Sequence, residues 1–344
     1  MRSVKHLLIR GTNWIGDSVM SLPALRELRR LYPEQHLSLL VTPWVSGLFE
    51  GQGIVDEIIP FPSGGLGWRD LIQLRGQLAR FHTAILFQNA FRAAAVTLLA
   101  GIPERVGYAT DGRSLLLTRR ARARSKELKR HQVYYYLDLL YQTGLSPLNY
   151  LEQPDFKPDI HLEAGSEGVQ RADQLLLAAG PSSQGPLVVI NPGAYYGPAK
   201  RWFSDRYAAL ADRLIDEVKA DIVLVGSREE QTLAQEIQTL AQNPLKILTG
   251  QTDLLSLMGV LSRCDLFVTN DSGPMHLAAA QGTPQIALFG STDEVATGPF
   301  SSKARVLHKH VECSPCLLRE CPIDLRCFSR MAVDEVYDAV HAAL

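Results

Sequence analysis

The chain has 344 residues, about twice the length of a typical domain, so two domains are the expectation. Hydrophobic residues make up 46% and charged residues 21%, the balance of a globular protein whose cores need no disulfides, and not of a fibrous or disordered chain. Lys+Arg 35 against Asp+Glu 36 leaves a net charge of −1, without the basic excess of a nucleic-acid binder, so anion recognition must be local.

The first strand-like run, His6-Leu7-Leu8-Ile9-Arg10, is too short for a signal-peptide core, and no small-residue cleavage site follows it. The longest apolar stretch, residues 93–102, has the length of a buried helix and falls short of the roughly 18 apolar residues of a membrane span. The expected location is cytoplasmic, with room for a peripheral membrane contact.

Short β-branched runs alternate with helical periodicities along the chain, which predicts a parallel sheet with crossover helices. Residues 5–10 read as a strand, 17–32 as a helix stopped by Pro33, and 36–42 and 57–61 as strands. An amphipathic helix over 71–81 is followed by a strand over 83–88, a helix over 90–100, a strand over 105–109 and a helix over 132–143. Prolines then break the pattern in 145–158, a helix covers 166–179, and 180–186 is turn-rich. The alternation restarts with strands over 187–191, 221–226, 265–269 and 285–290, and helices over 205–218, 229–241, 253–263 and 273–281. Residues 333–344 form a last amphipathic helix. The expected architecture is α/β, with two doubly wound units facing a cleft and their ligands at the carboxyl ends of strands.

The loops after the strands are therefore where chemistry is expected. After the first strand, Gly11-Thr12-Asn13-Trp14-Ile15-Gly16-Asp17-Ser18 has the glycine spacing that opens a P-loop, but Asp17 stands where that motif needs Lys. The loop fits neither a phosphate cradle nor a dinucleotide fingerprint. It presents one carboxylate at a helix N-terminus, where the dipole favours the ionised form; the plainer alternative is an acid that only stabilises the first turn. After the strand over 187–191, Pro192-Gly193-Ala194-Tyr195-Tyr196-Gly197-Pro198-Ala199-Lys200-Arg201-Trp202 suits a phosphate cradle, or else an ordinary cationic loop. In Asn270-Asp271-Ser272-Gly273-Pro274-Met275-His276, small and polar residues open an Ala-rich helix, a ready anion site that side-chain capping could also explain. Glu229 and Glu230 follow the strand over 221–226, where a carboxylate can grip ribose hydroxyls or merely complement a helix dipole; Glu230 is preferred.

Taken together, Gly16-Asp17-Ser18-Val19-Met20-Ser21-Leu22-Pro23-Ala24-Leu25, Gly197-Pro198-Ala199-Lys200-Arg201-Trp202 and Thr269-Asn270-Asp271-Ser272-Gly273-Pro274-Met275-His276 resemble the ADP-heptose:lipopolysaccharide heptosyltransferases, glycosyltransferase family 9. Gly101-Ile102-Pro103-Glu104-Arg105-Val106-Gly107-Tyr108 adds to the match, which covers nearly the whole chain. The loop ending in Trp202 is most similar to that of the branch adding the second heptose.

The resemblance implies a GT-B fold of two Rossmann-like domains. The acceptor domain is expected over 1–165, the ADP-sugar domain over 184–330, and the helix over 331–344 is expected to return to the first domain. It implies inverting transfer of L-glycero-D-manno-heptose from ADP-heptose to the inner core of a lipid A–core acceptor at the membrane. Asp17 would be the catalytic base, Lys200 would neutralise the ADP phosphates, Glu230 would bind ribose, and Asp271, Ser272, Gly273 and His276 would hold the rest of the donor. No metal or other cofactor is then required for catalysis. Alternatives are transfer to another core position or another glycan, a nucleotide-sugar epimerase, and a non-catalytic nucleotide-sugar binder.

Two further features need accounts. Residues 119–130 carry seven basic side chains against Glu127 alone, either a solvated face or a patch, including Arg119 and Arg120, for an anionic glycolipid acceptor. Cys313, Cys316, Cys321 and Cys327 cluster just after His308 and His310, with Cys264 apart. In a reducing compartment such spacing points to a structural zinc, or less well an iron–sulfur cluster, before it points to disulfides.

Overall fold

The computed structural model describes residues 6–62, 68–124, 129–153, 155–181 and 183–344, and the chain divides after Ile160 into two compact units. The first unit runs β1 (His6–Arg10), α1 (Ile15–Leu31), β2 (His36–Val41), α2 (Pro43–Ser46), β3 (Glu57–Pro60), α3 (Trp68–Leu78), β4 (Thr83–Leu86), α4 (Phe91–Leu99), β5 (Glu104–Tyr108), β6 (Arg119–Ala121) and α5 (Val133–Gln142). Its sheet has six parallel strands in the order β3-β2-β1-β4-β5-β6. The central strands read as near-continuous apolar runs because helices cover both faces of a parallel sheet. Leu8, Leu40, Ala84 and Leu86 form the middle of one core layer, with Leu74, Leu78 and Ala94 packed over them.

The second unit contains α6 (Gly165–Ala178), β7 (Leu187–Asn191), α7 (Ser204–Val218), β8 (Asp221–Leu224), α8 (Gln231–Leu240), β9 (Lys246–Ile247) and α9 (Leu254–Arg263). It continues through β10 (Leu266–Asn270), α10 (Gly273–Gln281), β11 (Gln285–Phe289), α11 (Glu294–Thr297), β12 (Ala304–His308), α12 (Arg326–Ser329) and α13 (Val333–His341). Its six parallel strands are ordered β12-β11-β10-β7-β8-β9. Counted from its own first strand, this order is the same as in the first sheet. Each unit thus has a point where the strand order reverses, between β1 and β4 and between β7 and β10, and ligands of such sheets bind there beyond the carboxyl ends.

Helix α6 packs on α9 and is tied to its flanks by Arg171–Asp253 and Arg263–Asp173 pairs. Helix α13 lies against α7 and β11, with Val336, Tyr337, Ala339 and Val340 in the second core. The basic residues Arg119 and Arg120 sit on the edge strand β6. No helix among the described residues is long and apolar enough to cross a membrane.

Candidate functional site

In the first unit, the chain leaves β1 through Gly11–Trp14 and enters α1, which places Asp17 in the first helical turn, half-buried. The turn is closed by a Thr12 Oγ1–Ser18 Oγ hydrogen bond of 2.8 Å. Beneath it lies the buried guanidinium of Arg10, which donates to Leu40 O at 3.2 Å and Asn13 Oδ1 at 2.7 Å and stacks 4.2 Å over Phe61. Burial, helped by the nearby charge of Arg92, lowers the pKa of Arg10 to about 10.

Asp17 does not stand alone. The hydroxyl of Tyr136, on α5, lies 3.5 Å from its Oδ1. Burial first, and the charge of Asp17 second, push the Tyr136 phenol well above its ordinary value, so it remains a proton donor. Tyr136 packs on Phe87, at the end of β4, and on Tyr135. Tyr135 OH accepts from Asn89 Nδ2 at 2.7 Å. Arg113, fully buried, donates to Tyr108 O at 2.9 Å, to Asn89 Oδ1 at 3.0 Å and to Gln88 O. The loops after β1 and β4 are therefore fixed by buried cations and phenols that loop-by-loop reasoning missed. The run Tyr134-Tyr135-Tyr136 was the available signal: Tyr combines a large apolar body with a polar tip that seeks a partner.

Arg119 and Arg120 are not gathered at this site. Arg119 donates to Glu104 Oε1 at 2.9 Å, and exposed Arg120 reaches Ser114 Oγ at 3.3 Å. Burial alone would raise the pKa of the Glu104 carboxyl, but bonds from Arg119 and Thr83 outweigh it and hold the group below its usual range. Of the remaining tract, Arg124 pairs with Asp138 at 2.6 Å, and residues 125–128 lie outside the described residues.

In the second unit the predicted donor residues converge. Lys200, at the end of the loop after β7, makes a 2.6 Å ion pair with Asp271, which follows β10. Their side chains are only 14% and 5% exposed, and the ammonium also sits 5.0 Å over the ring of Tyr196. Ser272 occupies the N-cap position of α10 but makes no capping bond through its side chain. Its hydroxyl accepts instead from Asn191 Nδ2 at 3.0 Å and lies 3.2 Å from Thr269 Oγ1. The first-turn N–H groups of α10, begun by Gly273 and Pro274, are thus not taken by this hydroxyl, and such a terminus favours an anion. His276 is buried one turn into the same helix.

Glu230 accepts from the Ser227 backbone N–H at 2.8 Å in a capping box, and its carboxylate lies 4.0 Å from Arg201. It presses so closely on Gly193 that a Cβ there would fall 2.0 Å from Oε1, so a larger residue would have to push this carboxylate aside. Glu229 is exposed. Asn270 joins the two switch-point loops: its amide donates to Pro192 O at 2.7 Å and accepts from Tyr207 OH at 2.9 Å and Trp202 N at 3.3 Å. A buried amide bonded on both sides fixes the loop that carries Lys200.

The cysteine-bearing segment also supports that loop. Arg319 O accepts from Ala199 N at 3.0 Å, and Leu317 O accepts from Tyr196 OH at 2.9 Å. Side-chain space at Gly197 is closed off by Arg319 O, 2.4 Å from where a Cβ would stand. The cysteines are free thiols. Burial raises the pKa of Cys327, with smaller effects from Cys313 and Cys316, and pushes Cys264 up to about 12, as expected of inert thiols. Among the described residues, the group whose metal-binding atoms all lie within 4.8 Å of one another is Glu294, His308 and His310, and the four clustered cysteines do not form one.

Comparison with known proteins identifies the family. The family description "Glycosyltransferase family 9 (heptosyltransferase)" matches residues 72–326. The chain is 34% identical over 310 residues to lipopolysaccharide heptosyltransferase 2 of Escherichia coli, covering 88% of this chain and 87% of that protein. Lipooligosaccharide heptosyltransferase 2 of Haemophilus influenzae is 31% identical, with 88% of each chain covered. The solved structure of E. coli ADP-heptose lps heptosyltransferase II superposes with a TM-score of 0.81 at 30% identity, over 98% of both chains. By sequence along most of its length and by fold along nearly all of it, the chain belongs to glycosyltransferase family 9, the heptosyltransferases.

Proposed function

We propose that this chain is a lipopolysaccharide heptosyltransferase II: it transfers L-glycero-D-manno-heptose from ADP-heptose to the first heptose of the inner core. The observation that carries the reading is the full-length likeness, 30% identical over 98% of both chains, to a structure named for that donor and that activity.

A single displacement accounts for inversion. The acceptor hydroxyl oxygen bonds to the anomeric carbon, its proton passes to the Asp17 carboxylate, and the anomeric C–O bond to ADP breaks. Lys200 takes up the charge that develops on the departing diphosphate, aided by the N-terminus of α10 with Asp271, Ser272 and Gly273. Glu230 receives the ribose hydroxyls, and His276 supports the donor from within α10. All of these groups belong to the protein, so the route needs no metal or other cofactor.

The decisive experiment supplies ADP-heptose together with either heptose-free or mono-heptosylated core acceptor and measures ADP. Release is expected with the mono-heptosylated acceptor alone. Release with the heptose-free acceptor alone would assign the first transfer instead, and none with either would leave the epimerase or binder.

The acceptor is an anionic glycolipid, and we assign its membrane-side recognition to the exposed part of the basic tract, which gives the protein a peripheral position on the inner membrane. Leu115, 91% exposed, adjoins Ser114, to which Arg120 is bonded, so apolar and cationic groups share one surface. Reversing Arg120, Lys129 and Arg130 to Glu is expected to lower activity on membrane-embedded acceptor roughly tenfold, while a short soluble acceptor loses less than about twofold. Equal losses on both would remove the membrane role.

A further inference from the structure

We propose that Glu294, His308 and His310 form a binding site for one divalent transition-metal ion, zinc being the best match, at the carboxyl end of the outer strands of the second sheet. This inference does not depend on the transfer reaction. His308 closes β12, His310 lies two residues beyond it, and Glu294 opens α11 after the neighbouring strand β11. Parallel pairing of β11 with β12 thus brings three metal-ligand side chains to one end of the sheet.

The His308 ring is held in one orientation by its neighbours. Its side chain is only 4% exposed. The Ser314 hydroxyl donates its single proton to Gly290 O at 2.6 Å, so at 2.8 Å from His308 Nε2 it can only accept, and Nε2 carries the proton. In the neutral ring this leaves Nδ1 as the free lone pair, the outer-sphere pattern usual for metal-bound histidines. Nδ1 is buried, makes no hydrogen bond, and stands 2.8 Å from Glu294 Oε2. A lone pair held against a carboxylate oxygen is repulsive unless a second ring proton or a metal ion lies between or beside them. The third ligand side chain, His310, favours the metal ion.

Two donors bound tetrahedrally to zinc at ordinary bond lengths are about 3.3 Å apart. His308 Nδ1 stands 2.8 Å from Glu294 Oε2 and His310 Nε2 3.7 Å from the other oxygen, Oε1, and one ligand atom from each residue can be chosen so that all three lie within 4.8 Å of one another, within reach of that spacing by side-chain rotation. The two rings are tilted with centroids 4.5 Å apart, and His310 is 77% exposed, which leaves a path for the ion and a position for water. An ion here would tie the end of β12 to α11, at the root of the segment whose Leu317 and Arg319 carbonyls brace the Lys200 loop.

The test is cobalt(II) titration of chelator-treated, full-length protein, followed by visible absorption, with zinc competition and thermal unfolding. One equivalent is expected to bind with the visible bands of a nitrogen- and oxygen-ligated ion, without thiolate charge-transfer absorption, and zinc is expected to displace it and raise the Tm. His310→Ala, at an exposed ring that folding does not need, is expected to weaken binding at least about tenfold. A variant with both Cys313→Ser and Cys316→Ser is expected to bind as the parent does. The proposal is overturned by the absence of stoichiometric binding, by indifference to His310→Ala, or by thiolate bands that vanish in the cysteine variant.

Discussion

Replacing Asp17 by Asn is expected to lower turnover by about 10³-fold while ADP-heptose affinity stays within a few-fold of the parent. Asn keeps the shape and most of the hydrogen bonding of the side chain but cannot accept the proton of the incoming hydroxyl. Asp17 is well suited to that task, because it lies in the first turn of α1, where the helix dipole favours the carboxylate. Tyr136 does not compete as a base: its buried phenol, with a pKa raised by burial and by Asp17 itself, keeps its proton. Tyr136→Phe should therefore cost far less than Asp17→Asn. ADP release with acceptor present, set beside calorimetric donor binding, separates the two effects. An Asp17→Asn variant that turns over like the parent would exclude Asp17 as the base.

Lys200→Ala is expected to act twice. It removes the cation that answers the leaving diphosphate, which should reduce kcat/KM for the donor by about 10²–10³-fold. It also strands Asp271, 5% exposed, without its partner, and leaving one member of a buried pair uncompensated destabilises a protein by about 3 kcal/mol or more. Adding Asp271→Asn should recover most of the lost denaturant midpoint, since a neutral amide tolerates the same burial better. It should not recover activity. If stability and catalysis return together, Lys200 acts by holding the fold and not on the phosphates.

Much of the architecture is legible in the residues themselves. The buried strands β1, β2, β7, β10 and β11 announce themselves as apolar runs because both of their faces are covered. Of the four edge strands only β3 is read, as part of 57–61, and the other three are not. β6 is Arg119-Arg120-Ala121, β9 is two residues long, and β12 is only partly buried, so none carries a periodicity that sequence could report. Loop chemistry is readable where glycine, proline and charge sit together, as in the residues around Lys200 and Asp271. The structural roles of Arg10, Asn89, Arg113, Tyr136 and Asn270 are not, because the groups they bond lie on other elements that only the fold brings to them. Glu294, His308 and His310 are unreadable as a group for a related reason: only the pairing of β11 with β12 brings them side by side.

The Lys200–Asp271 pair has a kinetic consequence. With Arg201 also 4.0 Å from Glu230, each of the two cations in this loop faces a carboxylate, and the donor loops cast little net field into solution. A nucleotide-sugar diphosphate would then arrive by unassisted diffusion, and its charge would be met only on contact, when it displaces Asp271 from the ammonium. Association of ADP-heptose should thus change little between low and physiological ionic strength, whereas electrostatically steered association falls steeply over that range. Stopped-flow measurement of the on-rate against salt would show the difference, and a steep decline would mean that other charges draw the donor in.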